Sequence, residues 1–386
     1  MKKNIIFAGT VLLIFFALPK TITTVHTGTF SDVGDNLQLW KVQRAAMVFA
    51  CITYLLFSLS QLRLSKAAAV WISAATALAT LQAGTESFAA SIYAIVGAAT
   101  AYHYSKNIPG AEDGERLSRF AVAMALFYIS QYLVFRIGSR VTASFLDPNI
   151  SGYYLYLCYL LFRYRKHRAL AFLAAFAGAY SLSRNFVLAV LIFEISRFAL
   201  ITFQRIKPSR PLFLRAELLT IASLIVVAAG SLAVTKSSQI TETIGDSSRR
   251  FTNIMDNSNY QRALANVQTI ERVVIKHELV LSGNGSSNDG VTAVRPHNAF
   301  LRAVYRYGFA LSILLFLAFF FVLNKLGRTS LPAILGLFSY YSILNDFITG
   351  IDLVLLAIIL SILARSSPLR KSENKSATTT YRLTGL

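Results

Sequence analysis

The chain has 386 residues, of which 55% are hydrophobic and only 15% carry a charge. A soluble domain averages about 45–50% apolar and about a quarter charged residues, so this composition predicts a membrane protein. A net charge of +20 would suit a protein that binds nucleic acid. However, the basic residues cluster in short connections between apolar runs, as the positive-inside rule produces, so no nucleic-acid partner is predicted.

The first apolar run covers residues 4–18 and follows Lys2 and Lys3. A signal peptide has the same charge and length, but no A-x-A-like cleavage site follows, so a first transmembrane helix is the favoured interpretation. The two cysteines, Cys51 and Cys158, both lie inside apolar runs. They offer neither a disulfide framework nor a zinc site.

Apolar runs of about 15–20 residues recur along the whole chain, and each is long enough to cross a bilayer. We therefore predict an all-α polytopic membrane protein with about twelve transmembrane helices. Alternate connections are strongly basic and fall on the side of Lys2 and Lys3, which predicts that both termini are cytoplasmic. The predicted spans centre on residues 4–18, 45–60, 67–83, 87–103, 120–135, 150–162, 169–182, 186–203, 217–234, 308–323, 330–344 and 350–364.

One long connection divides the predicted spans into two groups. Residues 1–234 hold about nine spans, and residues 297–365 hold about three. Between them, residues 235–296 form an extracytoplasmic loop, and loops of this length in compact proteins are functional or disordered. Residues 366–386 are rich in Ser, Thr and Lys and are predicted to be a disordered cytoplasmic tail.

The long loop contains the pattern of an amphipathic helix. Ser258 or Asn259 can cap its start, and the turn at 282–285 is predicted to end it. The loop is therefore predicted to be partly helical and to lie on the outer membrane surface. The residues that share one face of this helix are Ala263, Val267, Ile270 and Val274.

His297 stands where the long polar loop gives way to an apolar helix, after Pro296 and before Asn298. Asn298 is a good N-cap, so a helix is predicted to start there, with His297, Leu301 and Gly308 on one stripe. A helix N-terminus disfavours imidazolium, which keeps the ring neutral and able to accept a proton. Its free N–H groups also attract phosphate. A histidine that merely sits at the interface remains the alternative.

Arg184 lies between two adjacent apolar runs, on the predicted outer side, where the positive-inside rule gives no reason for an arginine. An isolated charge at membrane depth indicates function, although an arginine that reaches the lipid headgroups is the alternative. Glu194 and Arg197 lie inside a predicted span at i, i+3 spacing, and we expect them to pair with each other.

Several short sequence motifs follow one another in an order that resembles that of a known family. A Ser-Arg pair stands between two spans, an arginine opens the loop helix, and a Gly-x-Gly turn precedes a His-Asn pair. This order resembles the O-antigen ligase and polymerase superfamily over about residues 140–364. Asp147-Pro148-Asn149 resembles that family's Asn-Pro-Asn-like segment but departs at its first position. The other matching residues are Ser183-Arg184, Arg262, Gly283-Asn284-Gly285, His297-Asn298, Leu301 and Gly308.

The resemblance implies a membrane glycosyltransferase of the GT-C type in the bacterial inner membrane. It would transfer a glycan from undecaprenyl diphosphate to a sugar hydroxyl at the extracytoplasmic face, without a metal or cofactor. His297 would be the general base, and Arg184 and Arg262 would hold the diphosphate. Its partners would be the lipid-linked glycan, the bilayer, a chain-length regulator and a flippase. The supporting residues would be Asn298, Arg295, Ser183 and Asn149.

General chemistry favours the same roles. A departing diphosphate needs positive charge, and arginine offers two parallel hydrogen bonds to phosphate. The sequence has no metal-ligand motif, no Walker A loop and no G-x-S-x-G elbow.

Three functions remain open. A polymerase that joins lipid-linked repeat units is preferred over a ligase that moves the finished polymer to lipid A-core. A flippase or transporter of lipid-linked glycan is the alternative from another class, and it would have no need for His297. A structural membrane scaffold would have no use for an outward Arg184.

Overall fold

Helices form most of the chain that the structure describes. The computed structural model describes residues 2–18, 21–22, 37–38, 40–58, 65–85, 87–131, 136–137, 140–141, 148–181, 183–206, 257–285, 296, 298–326, 331–343 and 351–366. The helices within these ranges are α1 (Lys2–Phe16), α2 (Trp40–Ser58), α3 (Lys66–Thr80), α4 (Ser87–Lys106), α5 (Ala111–Ser130), α6 (Pro148–Tyr164), α7 (Arg168–Tyr180), α8 (Arg184–Ile206), α9 (Asn257–Val274), α10 (Ala299–Tyr307), α11 (Phe309–Leu326), α12 (Leu331–Ile343) and α13 (Ile351–Ser366).

Two short antiparallel strand pairs accompany the helices. Strand β1 (Thr21–Ile22) pairs with β2 (Leu37–Gln38) between α1 and α2. Strand β3 (Arg136–Ile137) pairs with β4 (Arg140–Val141) between α5 and α6. Both pairs fall in segments that the sequence assigns to connections, so they do not alter the helical class of the protein.

The prediction of about twelve transmembrane helices is wrong. Among the described residues, a single stretch, Asn185–Thr202 of α8, is long and apolar enough to cross a membrane. Other apolar helices are shorter, and the 13 residues of α7 extend only about 20 Å against a hydrocarbon core of about 30 Å. The prediction failed because it counted apolar residues without locating the helix ends. The predicted span at 217–234 lies outside the described residues.

The centre of the bundle is occupied by α6 and α13. Every residue from Ser151 to Phe162 is buried, and so is every residue from Leu353 to Leu363. A helix that is apolar on all sides belongs in the interior, because no face of it gains from contact with water. Helix α6 packs against α5, α7 and α8, while α13 packs against α4, α6 and α11. The other helices therefore surround these two.

Side-chain hydrogen bonds tie helix ends together at one end of the bundle. Gln131, which follows α5, donates to the carbonyl of Phe16 at the end of α1 over 3.0 Å. The hydroxyl of Tyr128 lies 3.1 Å from that of Ser151, near the start of α6. We call the end where α6 and α8 begin the upper end, and the opposite end the lower end. Helices α1 and α5 therefore finish at the upper end, where α6 starts.

Charged side chains hold the lower end. The guanidinium of Arg165, after α6, bonds both carboxylate oxygens of Glu115 in α5 over 2.5 Å. This pair lowers the pKa of the Glu115 carboxyl, because the hydrogen bonds from Arg165 favour its ionised form. Lys3 donates to the carbonyl of Phe57 at the end of α2 over 3.2 Å. Polar contacts thus fasten α1 to α2 and α5 to α6.

We expect Glu115→Gln to destabilise the protein at neutral pH and to have no effect in acid. Because the pKa of Glu115 is lowered in the folded state, its ionised carboxylate stabilises that state at pH values above the ordinary pKa of 4.5. This stabilisation is lost as the pH falls through the lowered pKa. Both partners are partly exposed, so the loss should be at most about 1 kcal/mol. Thermal unfolding of both proteins as a function of pH measures it, and a difference that persists in acid would refute the assignment.

Glu194 has a closer partner than the one predicted. Arg163 of α6 bonds both of its carboxylate oxygens, at 2.6 and 3.0 Å, and the Tyr159 hydroxyl donates to it over 2.6 Å. The predicted partner, Arg197, is 3.5 Å away. The ion pair with Arg197 exists but is the weaker of the two. The main function of Glu194 is to join α6 to α8.

Candidate functional site at the upper end of the bundle

The predicted helix after Asn298 is present, and Asn298 is its N-cap. Helix α10 begins at Ala299, and the Asn298 side chain accepts hydrogen bonds from the N–H groups of Phe300 and Leu301 at 3.0 and 3.2 Å. The carbonyl of Asn298 accepts from the N–H of Arg302 over 2.7 Å. The sequence prediction of an asparagine cap is therefore confirmed.

This cap changes one part of the expected chemistry. Phe300 and Leu301 carry two of the first N–H groups of α10, and Asn298 already occupies both. They are not free to bind a phosphate, as the sequence suggested. The start of α10 still carries the positive end of the helix dipole. That partial charge favours a nearby anion and a neutral imidazole.

Gly308 lies outside the helix on which it was predicted. Helix α10 ends at Tyr307, and Gly308 has a left-handed φ of 82° before α11 starts. It therefore does not continue the stripe through His297 and Leu301. A positive φ is readily adopted by glycine, and here it breaks one apolar segment into two helices. A Cβ at Gly308 would lie 2.9 Å from the backbone carbon of Leu281.

The Gly-x-Gly turn lies against the last turn of α10. A helix leaves its last four carbonyls without partners inside the helix, and here each of the four is satisfied. Two of the donors come from the turn, so the turn caps α10 from a distant part of the chain. The carbonyls and their donors are Val304 with the Gly308 N–H (2.8 Å), Tyr305 with the Asn284 N–H (2.7 Å), Arg306 with the Gly285 N–H (3.1 Å) and Tyr307 with the Gln82 side-chain amide (2.7 Å).

Gln82 links this capped helix to the bundle. It is fully buried in the turn after α3 and donates to the carbonyls of Leu281 and Tyr307, each over 2.7 Å. Its own carbonyl oxygen accepts from the buried hydroxyl of Ser91 in α4 at 2.6 Å. The sequence prediction missed Gln82. Its only signal there is a polar residue between two apolar runs, and its partners are 199 and 225 residues away.

We expect Gln82→Leu to loosen α10 from the bundle. Leucine leaves the carbonyls of Leu281 and Tyr307 and the Ser91 hydroxyl without their partner, and each stranded buried group costs about 1–3 kcal/mol. Hydrogen exchange should become faster in α10 and in residues 281–285. Ala83→Ser, at the exposed neighbouring position, is the control and should leave exchange unchanged. Unaltered protection in Gln82→Leu would show that this network does not hold the helix.

A second group of helix ends meets at Ser183. Ser183 is buried directly before α8, and its hydroxyl accepts from the N–H of Phe186 at 3.4 Å, as an N-cap does. A Cβ on Gly152 of α6 would lie 2.8 Å from this hydroxyl and 3.1 Å from the hydroxyl of Tyr340 in α12. The starts of α6 and α8 therefore lie side by side, next to the last turns of α12. Gly152 and Tyr340 carry no sequence motif, and the sequence prediction missed them.

Helix α12 connects the two groups. It packs against α8 over much of its length and also contacts α10. Gly336 permits this closeness, because a Cβ there would overlap the Tyr156 hydroxyl and lie 2.8 Å from the Ala189 carbonyl oxygen. Helix α10, which starts next to His297, and helix α8, which starts at Arg184, therefore both contact α12.

The structure describes the backbone of three of the predicted site residues. Arg184 is the first residue of α8, Arg262 lies in the second turn of α9, and Asn149 is the second residue of α6. The side chains of these three residues, and the whole of Arg295 and His297, lie outside the described residues. The structure thus brings the helix starts at Asn149 and Arg184 together. It describes no distance between His297, Arg184 and Arg262.

Helix α9 occupies the segment where a loop helix was predicted, but it ends earlier than predicted. It ends at Val274 rather than at 282–285, because His277 adopts a left-handed φ of 54°. The Glu278 N–H then bonds back to the Arg272 carbonyl over 2.9 Å. Residues 279–285 run from this turn to the end of α10.

No protein-family model matches this chain, and neither a curated protein nor a solved structure matches it.

Proposed function

We propose that this protein is a membrane glycosyltransferase that polymerises a surface polysaccharide. It takes a glycan from undecaprenyl diphosphate and transfers it to a sugar hydroxyl of a lipid-linked acceptor, at the extracytoplasmic face of the inner membrane. The observation that carries the proposal is the gathering of helix starts at the upper end of the bundle. Helices α6 and α8 begin side by side there, at Pro148 and Arg184, and Asn149 is the second residue of α6.

Two helix starts that lie together favour a negatively charged ligand. Each N-terminus carries a partial positive charge, and the two add where they meet. Arg184 is the first residue of α8, and its charge is assigned to the diphosphate together with that of Arg262 in α9. This arrangement suits a leaving group with two phosphates, because arginine and helix dipoles stabilise the charge that develops on the departing oxygen.

His297 is assigned the proton transfer. Its ring removes the proton from the acceptor hydroxyl, and that oxygen attacks the anomeric carbon of the donor sugar. A new glycosidic bond forms while the bond from the anomeric carbon to the diphosphate oxygen breaks. Undecaprenyl diphosphate leaves with the electron pair, next to Arg184 and Arg262. Asn298, the residue directly after His297, supports this role because it caps α10 and fixes the start of that helix at Ala299.

Deletion of the gene, followed by gel analysis of the cell's glycans, tests the proposal. We expect single repeat units attached to lipid A-core, and recovery of long polymer when the gene is restored. Full-length polymer stranded on undecaprenyl diphosphate would instead identify a ligase. Lipid-linked repeat units trapped inside the cell would identify a flippase. Either of these two results would overturn the polymerase assignment.

A further inference from the structure

One apolar face of α9 points away from the rest of the protein. Val267, Ile270 and Val274 are 61%, 47% and 63% exposed, although they occupy one face of the helix at helical spacing. Ala263, at the start of the same face, is exposed as well. An amphipathic helix normally buries its apolar face in the protein, so the outward direction of this one needs an explanation. We call these four residues the α9 stripe.

The opposite face of α9 is firmly held, which fixes the stripe in its outward position. Ala265 and Thr269 are fully buried, and Arg272 is buried and bonds Glu278 over 2.7 Å. Beyond the helix, Leu279 packs against α10 in a small apolar cluster with Val304 and Tyr305. Rotation of α9 to bury the stripe would break these contacts.

The exposed apolar surface continues from α9 to the end of α3. Ile275 and Leu281, which follow the stripe, are exposed. The carbonyl of Leu281 is held by Gln82, and the residue before Gln82, Leu81, is exposed as well. The apolar surface therefore reaches the upper end of the bundle.

The distribution of apolar side chains favours lipid rather than a second protein chain. Monomeric soluble proteins rarely expose contiguous apolar patches larger than a few hundred Å². A partner protein would cover one side, whereas large exposed apolar side chains lie on several helices around the bundle. They include Phe49 and Phe57 of α2, Phe172 and Phe176 of α7, Leu191 and Phe198 of α8, and Leu317 and Phe320 of α11.

We infer that the α9 stripe lies on the phospholipid surface of the membrane, with α9 parallel to it. The stripe replaces contact with water by contact with acyl chains, as an interfacial amphipathic helix does. An 18-residue helix lies along the surface for about 27 Å. The inference rests on the membrane location in the proposed function. It adds that α9, which carries Arg262, is held at the depth of lipid headgroups, where a lipid-linked diphosphate is found.

Spin labels on the full chain in phosphatidylglycerol-containing vesicles test this inference. Val274→Cys and Gln268→Cys are labelled separately, the second being on a polar flank of the same helix. Relaxation by oxygen, which concentrates in lipid, is compared with relaxation by a water-soluble nickel chelate. We expect oxygen to dominate at position 274 and the chelate to dominate at position 268. Phe198→Cys, on the exposed face of the stretch that can cross a membrane, is the lipid-facing control.

Two results would overturn the inference. In the first, the nickel chelate relaxes the label at position 274 more than oxygen does, while oxygen dominates at position 198. That result would place the α9 stripe in water although the protein is in the membrane. Shielding from both reagents, with dipolar broadening between labels, would show a second copy of the chain on the stripe. The glycan-transfer activity of the same samples is a separate readout. The proposed function can therefore stand or fail independently of where α9 lies.

Discussion

Replacement of His297 by alanine is expected to abolish polymer formation while the protein still reaches the membrane. In the proposed mechanism the imidazole removes the proton from the acceptor hydroxyl, and an alanine side chain cannot. A positioned general base commonly contributes about 10²–10⁴-fold to the rate, so transfer should fall by that factor. The measurement is gel analysis of surface glycan in cells whose only copy of the gene carries His297→Ala, with the amount of membrane-bound protein determined in parallel.

His277→Ala is the matched control for this experiment. His277 is also a histidine between α9 and α10, and it is exposed in the turn after α9. It should tolerate replacement without loss of polymer. Normal surface polymer in cells with His297→Ala would remove His297 from the mechanism. Equal loss in both variants would mean that the segment has a structural rather than a chemical function.

Gly283→Ala is expected to separate the Gly-x-Gly turn from α10 and to destabilise the protein. A Cβ at this position would lie 2.5 Å from the Arg306 carbonyl oxygen and 2.6 Å from the Tyr307 nitrogen. Both are backbone atoms of a helix and cannot move aside alone. The overpacking should cost about 1–3 kcal/mol. Loss of the hydrogen bonds from Asn284 and Gly285 adds about 0.5–1.5 kcal/mol for each.

Thermal unfolding of the detergent-purified variant measures this effect, and Gly9→Ala is its control. A Cβ at Gly9, inside α1, would lie 3.8 Å from the Phe120 ring, an ordinary contact distance. Alanine there should stabilise the helix by about 0.5–1 kcal/mol, because glycine is the poorer helix former. An unchanged unfolding temperature for Gly283→Ala would show that the turn does not pack against α10 as described.

Local features could be predicted from the sequence. Asn298 could be assigned as an N-cap because capping depends on a side chain and the N–H groups two or three residues later. The existence of α9 followed from apolar residues at helical spacing. Both predictions rest on interactions within a few residues of the chain, which short-range rules describe.

Long-range features could not be predicted. Gln82 contacts Leu281 and Tyr307 across about two hundred residues, and nothing in its own neighbourhood indicates either partner. Glu194 bonds Arg163 of another helix more closely than Arg197 of its own. The i, i+3 spacing rule considers only partners on the same helix. It therefore assigned Arg197, rather than Arg163, as the partner of Glu194.

The predicted number of membrane spans was wrong for a related reason. Apolar length in a sequence includes residues that the folded chain places in turns, such as Gly308 between α10 and α11. The direction of the α9 stripe was likewise not fixed by its periodicity. Periodicity shows that a helix has an apolar face, but the contacts of the opposite face decide whether the protein covers it.

The proposed function requires that this chain itself joins lipid-linked glycans. The most direct measurement uses the purified full chain in phospholipid vesicles, supplied with repeat units on undecaprenyl diphosphate, with product length followed on a gel. We expect a ladder of longer lipid-linked glycans that grows with time and is lost with His297→Ala. A folded wild-type chain that leaves the repeat units at their original length would contradict it.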